Sequence, residues 1–161
     1  MQDKLRFIRF PALLLIIYFV GKLTVGALGG SYELGIQLFA MVPLTIHLCL
    51  AWGAVSRALR GDGLKDAMLT GLLIALVAQL LIFFGTVGSY LIGAETSFNN
   101  SVAIVREVRT VSFGEAVGAR AFGVFANSII GAIAGLIGWA LGGLVPGRRK
   151  ETAESPSSVT S

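Results

Sequence analysis

Four long apolar runs divide this chain, and in each the small or polar residues recur at helical spacing opposite larger aliphatic ones. Their lengths predict four helices that cross a membrane. The first runs from Phe10 to about Gly29 behind a basic start, residues 1–9, that carries Lys4, Arg6 and Arg9. At about 1.5 Å per residue, a run of that length spans the hydrocarbon core. A cleavable signal peptide ending near Val25-Gly26-Ala27 is the competing reading, and Lys22, just ahead of that position, speaks against it. After the turn from Gly29 to Glu33 a second helix is expected over about 34–56, antiparallel to the first because the turn is so short. Pro43 falls inside it and is expected to bend it; neighbouring helices can satisfy the carbonyl that Pro frees.

A polar segment from Arg57 to Asp66 leads to a third helix over about 67–93, longer than the core demands, so that it tilts or projects. The connection that follows, 94–119, has Ile104, Val105, Val108 and Val111 near one helical face and Arg106, Glu107 and Arg109 off it, the pattern of a short interfacial helix. A strand is the alternative, because Val and Ile are β-branched. Ser112 and Glu115 have the spacing of a capping box, which would start a helix before it enters the bilayer. The fourth apolar helix is expected over about 120–145, ending at Pro146. Residues 147–161 lack the apolar content to fold and read as a disordered cytoplasmic tail.

The fourth helix carries the strongest pattern. At 100° per residue Gly123, Asn127, Gly131, Ala134, Gly135, Gly138 and Gly142 fall within an arc of roughly 120°, with Phe125, Ile129, Ile133, Leu136 and Leu144 opposite. In water each interior Gly costs about 1 kcal/mol relative to Ala. In lipid a bare face lets another helix backbone come close. Comparable stripes are Gly71, Ala75, Ala78, Gln79, Gly85, Thr86, Ser89 and Gly93 on helix three, and Ala40, Pro43, His47, Ala51, Ala54 and Ala58 on helix two. Helix one steps through Tyr18, Lys22, Gly26 and Gly30. The expected fold is therefore an all-α membrane protein: a four-transmembrane-helix bundle packed through glycine and small-residue stripes.

Composition agrees with that pattern. Of 161 residues 55% are hydrophobic and only 14% charged, and the mean hydropathy is +0.80, well outside the balance of a soluble domain. A net charge of +4 would suggest nucleic acid in a soluble protein. Here the basic residues flank apolar segments, so no nucleic-acid partner is expected. Lys4, Arg6, Arg9, Arg57, Arg60, Lys65, Arg148, Arg149 and Lys150 share one side, against Arg106, Arg109 and Arg120 on the other. The positive-inside rule then puts both termini in the cytoplasm, with Trp52 and Trp139 near the cytoplasmic interface. The expected location is a cell membrane, the inner membrane of a bacterium.

Four polar side chains lie deep in the apolar segments: Lys22, His47, Gln79 and Asn127. Counting from the helix ends puts His47 with Gln79 near the midplane, and Lys22 with Asn127 nearer the outer surface. As interhelical glue such groups are worth about 0.6 kcal/mol per contact on average. Close approach of helices one and four would set the Lys22 ammonium beside the Asn127 amide. The chain lacks HExxH, a phosphate-binding Gly-rich loop and a GxSxG elbow. One histidine and one cysteine, Cys49, cannot build a multi-ligand metal site, so no metal or cofactor is expected. Acids are missing from the apolar segments, which weakens a proton-pump reading. Asn99-Asn100-Ser101 is a glycosylation acceptor only in a eukaryotic source. The function expected is that of a non-catalytic accessory, assembly or self-associating membrane subunit, whose partners are the lipid bilayer and a membrane protein or a second copy. The alternative is a small-solute or ion carrier or channel with a polar path through Lys22, His47, Gln79 and Asn127; no internal repeat of the halves supports it.

Overall fold

The computed structural model describes residues 2–144, so the expected tail and the Pro146 stop lie outside the described residues. Helices account for every regular element in that range: α1 (Gln2–Phe7), α2 (Arg9–Ala27), α3 (Tyr32–Leu38), α4 (Met41–Arg60), α5 (Leu64–Leu91), α6 (Ser101–Val105) and α7 (Phe113–Gly142). Four segments are long and apolar enough to cross a membrane: α2, α3 with α4, α5, and α7.

The second of these is broken where continuity was expected. Phe39 and Ala40 leave the helical region, with φ/ψ of −133°/62° and −75°/82°. Pro43 is the cause. In a continuous helix its ring would clash with the carbonyl four residues back, that of Phe39, and it has no N–H to give. Three residues into α4 both problems vanish, because first-turn N–H groups have no intrahelical acceptor anyway. The proline therefore starts a helix instead of bending one.

Helices α4, α5 and α7 pack on one another in a triangle, and α2 lies against α4 and α5 on their other side without extended contact to α7. The core between them holds Leu15, Leu48, Cys49, Ile74, Ala75, Ala78 and Ala134. A second cluster, Met41, Ile82 and Phe98, closes the end that carries the long loop. The outward faces are apolar: Phe10, Leu13 and Ile17 on α2 and Phe122, Phe125, Ile133 and Ile137 on α7 are all exposed, as suits contact with lipid tails.

The two ends are built differently. At one, Lys4 Nζ reaches Asp62 at 3.0 Å and Asp66 at 3.1 Å, tying α1 to the α4–α5 turn. Trp52 Nε1 donates to the Phe7 carbonyl at 2.9 Å and Trp139 Nε1 to the Asp62 carbonyl at 2.8 Å. Arg57 stacks over the Trp139 ring, 4.0 Å from its centroid. Trp139→Phe removes the donor and trades the indole under Arg57 for a smaller ring, so it should cost at least about 1 kcal/mol in thermal unfolding in detergent. An unchanged melting temperature would show that the turn holds without it.

At the other end the loop is held by its own polar groups. Ser89 Oγ and Thr96 Oγ1 lie 2.7 Å apart, and Asn99 bonds Thr96 N and the Ala94 carbonyl. The interfacial helix expected as far as Val111 is only α6, and Arg106, at φ 61°, ends it. The reason is a tether: Tyr90 OH donates to the Val111 carbonyl at 2.9 Å, so the chain must return to the end of α5 and cannot continue outward. Val108 is left 93% exposed while Val111 is buried. Ser112 then caps α7, its Oγ accepting from Glu115 N at 3.3 Å, and the Glu115 carboxylate also pairs with Arg109. The cap starts α7 at Phe113, ahead of the apolar span from about 120 as the Ser112–Glu115 spacing predicts, and this carries Arg120 two turns into the helix.

Candidate functional site

Two features of the bundle stand out: the small-residue face of α7, which the sequence singled out, and a cationic cavity at the loop end that takes in Lys22. On α7, Gly131, Ala134, Gly135, Gly138 and Gly142 are buried. A Cβ built on Gly135 would stand 2.7 Å from the Ala67 carbonyl oxygen and 3.1 Å from Gly71 Cα. One on Gly138 would stand 2.9 Å from Leu50 Cα, and one on Gly142 2.8 Å from Ala54 Cα. The first of these positions abuts α5 and the other two α4. Gly123 differs, because its nearest neighbours would be Asn127 Nδ2 at 3.7 Å and Gln79 Oε1 at 3.8 Å, ordinary contact distances. Gly123→Ala should then raise stability by up to about 1 kcal/mol through helix propensity. A measurable loss in a thermal melt would mean that another chain or helix touches this position.

The stripe drawn on helix two is not the buried face of α4. Pro43, His47 and Ala51 are exposed, and Met41, Thr45, Leu48, Cys49, Gly53 and Ser56 are buried. Residue size misled the reading. Because α7 supplies glycines, α4 can approach it closely at Leu50 and Ala54 as well as at Gly53, and large residues, Leu48 and Met41, take other buried positions of α4. On helix three, Gly93 does not pack either: at φ 65° it turns the chain out of α5.

The four polar residues do not come together. Asn127 Nδ2 donates to Gln79 Oε1 at 3.2 Å, joining α7 to α5. His47 faces outward, with Nδ1 2.7 Å from the Pro43 carbonyl; since a carbonyl only accepts, Nδ1 carries the proton. Lys22 does not pair with Asn127, whose amide is bonded to Gln79, and α2 has no extended contact with α7. Its ammonium stands 5.4 Å from the centroid of the Phe98 ring.

Lys22 instead lines a cavity of about 210 Å³ with Arg120, Tyr32, Ser97, Phe98 and Ile82. Five segments supply these groups. Lys22 comes from α2, Tyr32 from the first turn of α3, Ile82 from α5, Ser97 and Phe98 from the loop, and Arg120 from α7. The break at Phe39 and Ala40 leaves room for them, and Ala40, Met41 and Pro43 complete one wall. Arg120 is anchored: Nε donates to Thr86 Oγ1 and Nη2 to the Phe98 carbonyl, both at 3.1 Å. Glycines let the loop come close. A Cβ on Gly35 would stand 2.5 Å from Ser97 Oγ, and one on Gly26 3.1 Å from Thr96 Cα.

No family profile, no curated protein and no solved structure matches this chain. Sequence reasoning placed Arg120 among the outer loop charges and passed over Tyr32 and Ser97. The signal that bears on Arg120 was the Ser112 cap: a helix begun there sets that residue two turns in, a consequence the charge count did not follow. Ser97, in an irregular loop, carried no periodic signal.

Proposed function

We propose that this chain is a non-catalytic multipass membrane subunit whose glycine-faced helices give it a rigid form on which another membrane protein, or a second copy, assembles. The observation that carries this reading is the use made of the intramembrane polar groups. Gln79 is bonded to Asn127 and His47 to its own helix, while Arg120 is bonded to Thr86 and Phe98. Lys22 apart, these groups tie the protein to itself and do not line one route across it, which favours a scaffold over a carrier. The small-residue face of α7, within van der Waals range of α4 and α5 backbone, supports close packing of those three helices in lipid. The bulky apolar faces of α2 and α7 then remain for lipid or a partner.

Both termini are assigned to the cytoplasm on the charge asymmetry of the helix ends, and the membrane to a bacterial inner membrane. Mild-detergent purification followed by mass spectrometry and light scattering tests the reading. A stoichiometric membrane-protein partner or a defined homo-oligomer is expected. A lone monomer that conducts ions or moves a solute in proteoliposomes would overturn it in favour of the carrier.

A further inference from the structure

Two cations share one small cavity at the loop end, and no carboxylate lines it. Lys22 Nζ has no hydrogen-bond or ion-pair partner among the described residues; its neighbour is the face of Phe98. Arg120 spends one N–H of Nε and one of Nη2 on Thr86 and Phe98, and a guanidinium has five, so three remain. Placing two like charges together beside apolar walls is costly unless something negative joins them.

A third observation points the same way. Ser97 is only 3% exposed. Its Oγ is one of two buried side-chain polar atoms without a partner among the described residues, and Ser97 lines this cavity. Buried hydroxyls are ordinarily satisfied, and Ser97 Oγ, packed against Gly35 at the cavity wall, still has a proton to donate. The other walls, Ile36, Met41, Val42 and Phe98 among them, are apolar, and Ile36 and Val42 are exposed at the outer surface of the bundle. A freely hydrated ion has no use for such walls. An oxyanion on an apolar stem does.

We propose that the Lys22, Arg120 and Ser97 cavity binds a phosphate-type oxyanion at the membrane interface, the two cations pairing with its charge and the Ser97 hydroxyl donating to one of its oxygens. Charge-assisted bonds of this kind are the strong ones, and a guanidinium matches phosphate in a bidentate manner. The volume, about 210 Å³, exceeds what a halide needs and admits a phosphate with part of its ester. Such a group comes either from an anionic lipid headgroup, its tails lying outside over Ile36 and Val42, or from a free phosphate ester. The site stands whether or not the bundle recruits a protein partner.

The test uses the full chain in nanodiscs of phosphatidylcholine with one part in ten of phosphatidylglycerol, read by native mass spectrometry, alongside titration of the detergent-solubilised protein with inorganic phosphate and with butyl phosphate. The ratio of phosphatidylglycerol to phosphatidylcholine retained should exceed the bulk ratio at least tenfold, and Lys22→Met should lower that excess at least fivefold. Ser97→Ala should lower it less, by about twofold, while melting at or above the wild-type temperature. Binding of butyl phosphate with the same dependence on Lys22, and without lipid enrichment, identifies a free ester as the ligand and also supports the site. Arg120→Met is read only if its circular dichroism and elution match wild type, since Arg120 also holds the loop; Lys22 and Ser97 have no bond to lose and carry the test. Enrichment that persists unchanged in Lys22→Met, or no preference for either phosphate source in a folded wild-type protein, overturns the proposal.

Discussion

Gly131→Ile is expected to break the bundle, while Ile133→Leu, two residues along the same helix, leaves it nearly unchanged. A side chain at position 131 starts against Ala75 Cβ and lies 3.0 Å from the Gly71 carbonyl oxygen and 3.4 Å from Cys49 Sγ. None of these can give way cheaply: the carbonyl belongs to α5 backbone, and Cys49 is fully buried between helices. Ile adds a β-branched side chain there, so α7 must move away from both α4 and α5 and give up contact along the whole seam. Overpacking costs about 1–3 kcal/mol where the surroundings can yield, and here the upper end, about 3 kcal/mol, is expected. That corresponds to a fall of roughly 10 °C in melting temperature for a chain of this size. Ile133 is 51% exposed, and exchanging it for Leu on the outer face alters little. Equal melting temperatures in detergent would refute the packing assignment. Loss of an oligomer with an intact monomer would move the stripe to an interface between chains.

How much of this could be read beforehand depended on whether a signal was periodic. Helix existence was legible because each span repeats its small face over several turns, as Gly71, Ala75, Ala78, Gln79 and Thr86 do on α5, all buried in the structure. The face of α4 was not, because small size was taken as the mark of burial, whereas its buried face carries Leu48 and Met41 beside Gly53. The break before α4 was legible in principle. Pro43 admits two readings, a bend within a helix or a start to one, and which one wins depends on whether the chain before it can leave the helix, which Phe39 and Ala40 do. The cavity was the least legible feature. Lys22 was noticed for its charge, but its companions come from a loop residue, Ser97, and from an arginine whose depth depends on where α7 begins. Tertiary placement of a loop has no period to betray it.

Lys22 and Arg120 carry the same charge into the same cavity, and their removal is expected to change stability in opposite directions. Lys22→Met gives up a contact with the Phe98 ring, 5.4 Å from its centroid, worth about 0.5–1 kcal/mol. Against that stands the cost of holding an ammonium within a span, on the order of 3 kcal/mol at a helix centre and less where the side chain snorkels toward the interface. Methionine fills the same volume without the charge and also removes the repulsion from Arg120. In detergent free of phosphate and anionic lipid the variant should therefore melt at the wild-type temperature or slightly above. Arg120→Met forfeits two bonds from a charged donor, each worth about 1.5–3 kcal/mol where its acceptor is left bare. Part of that loss is recovered, because the Thr86 hydroxyl already lies 3.1 Å from the Phe98 carbonyl and can donate to it, and because the like-charge repulsion is relieved here too. A net loss of about 2 kcal/mol is expected. Hydrogen exchange should quicken for the amides of Thr96 to Asn99 in Arg120→Met and stay unchanged in Lys22→Met, since only the arginine holds that loop. Destabilisation by Lys22→Met comparable to that of Arg120→Met would show that the ammonium holds the fold together, which would remove the reason to regard it as charge kept for a ligand.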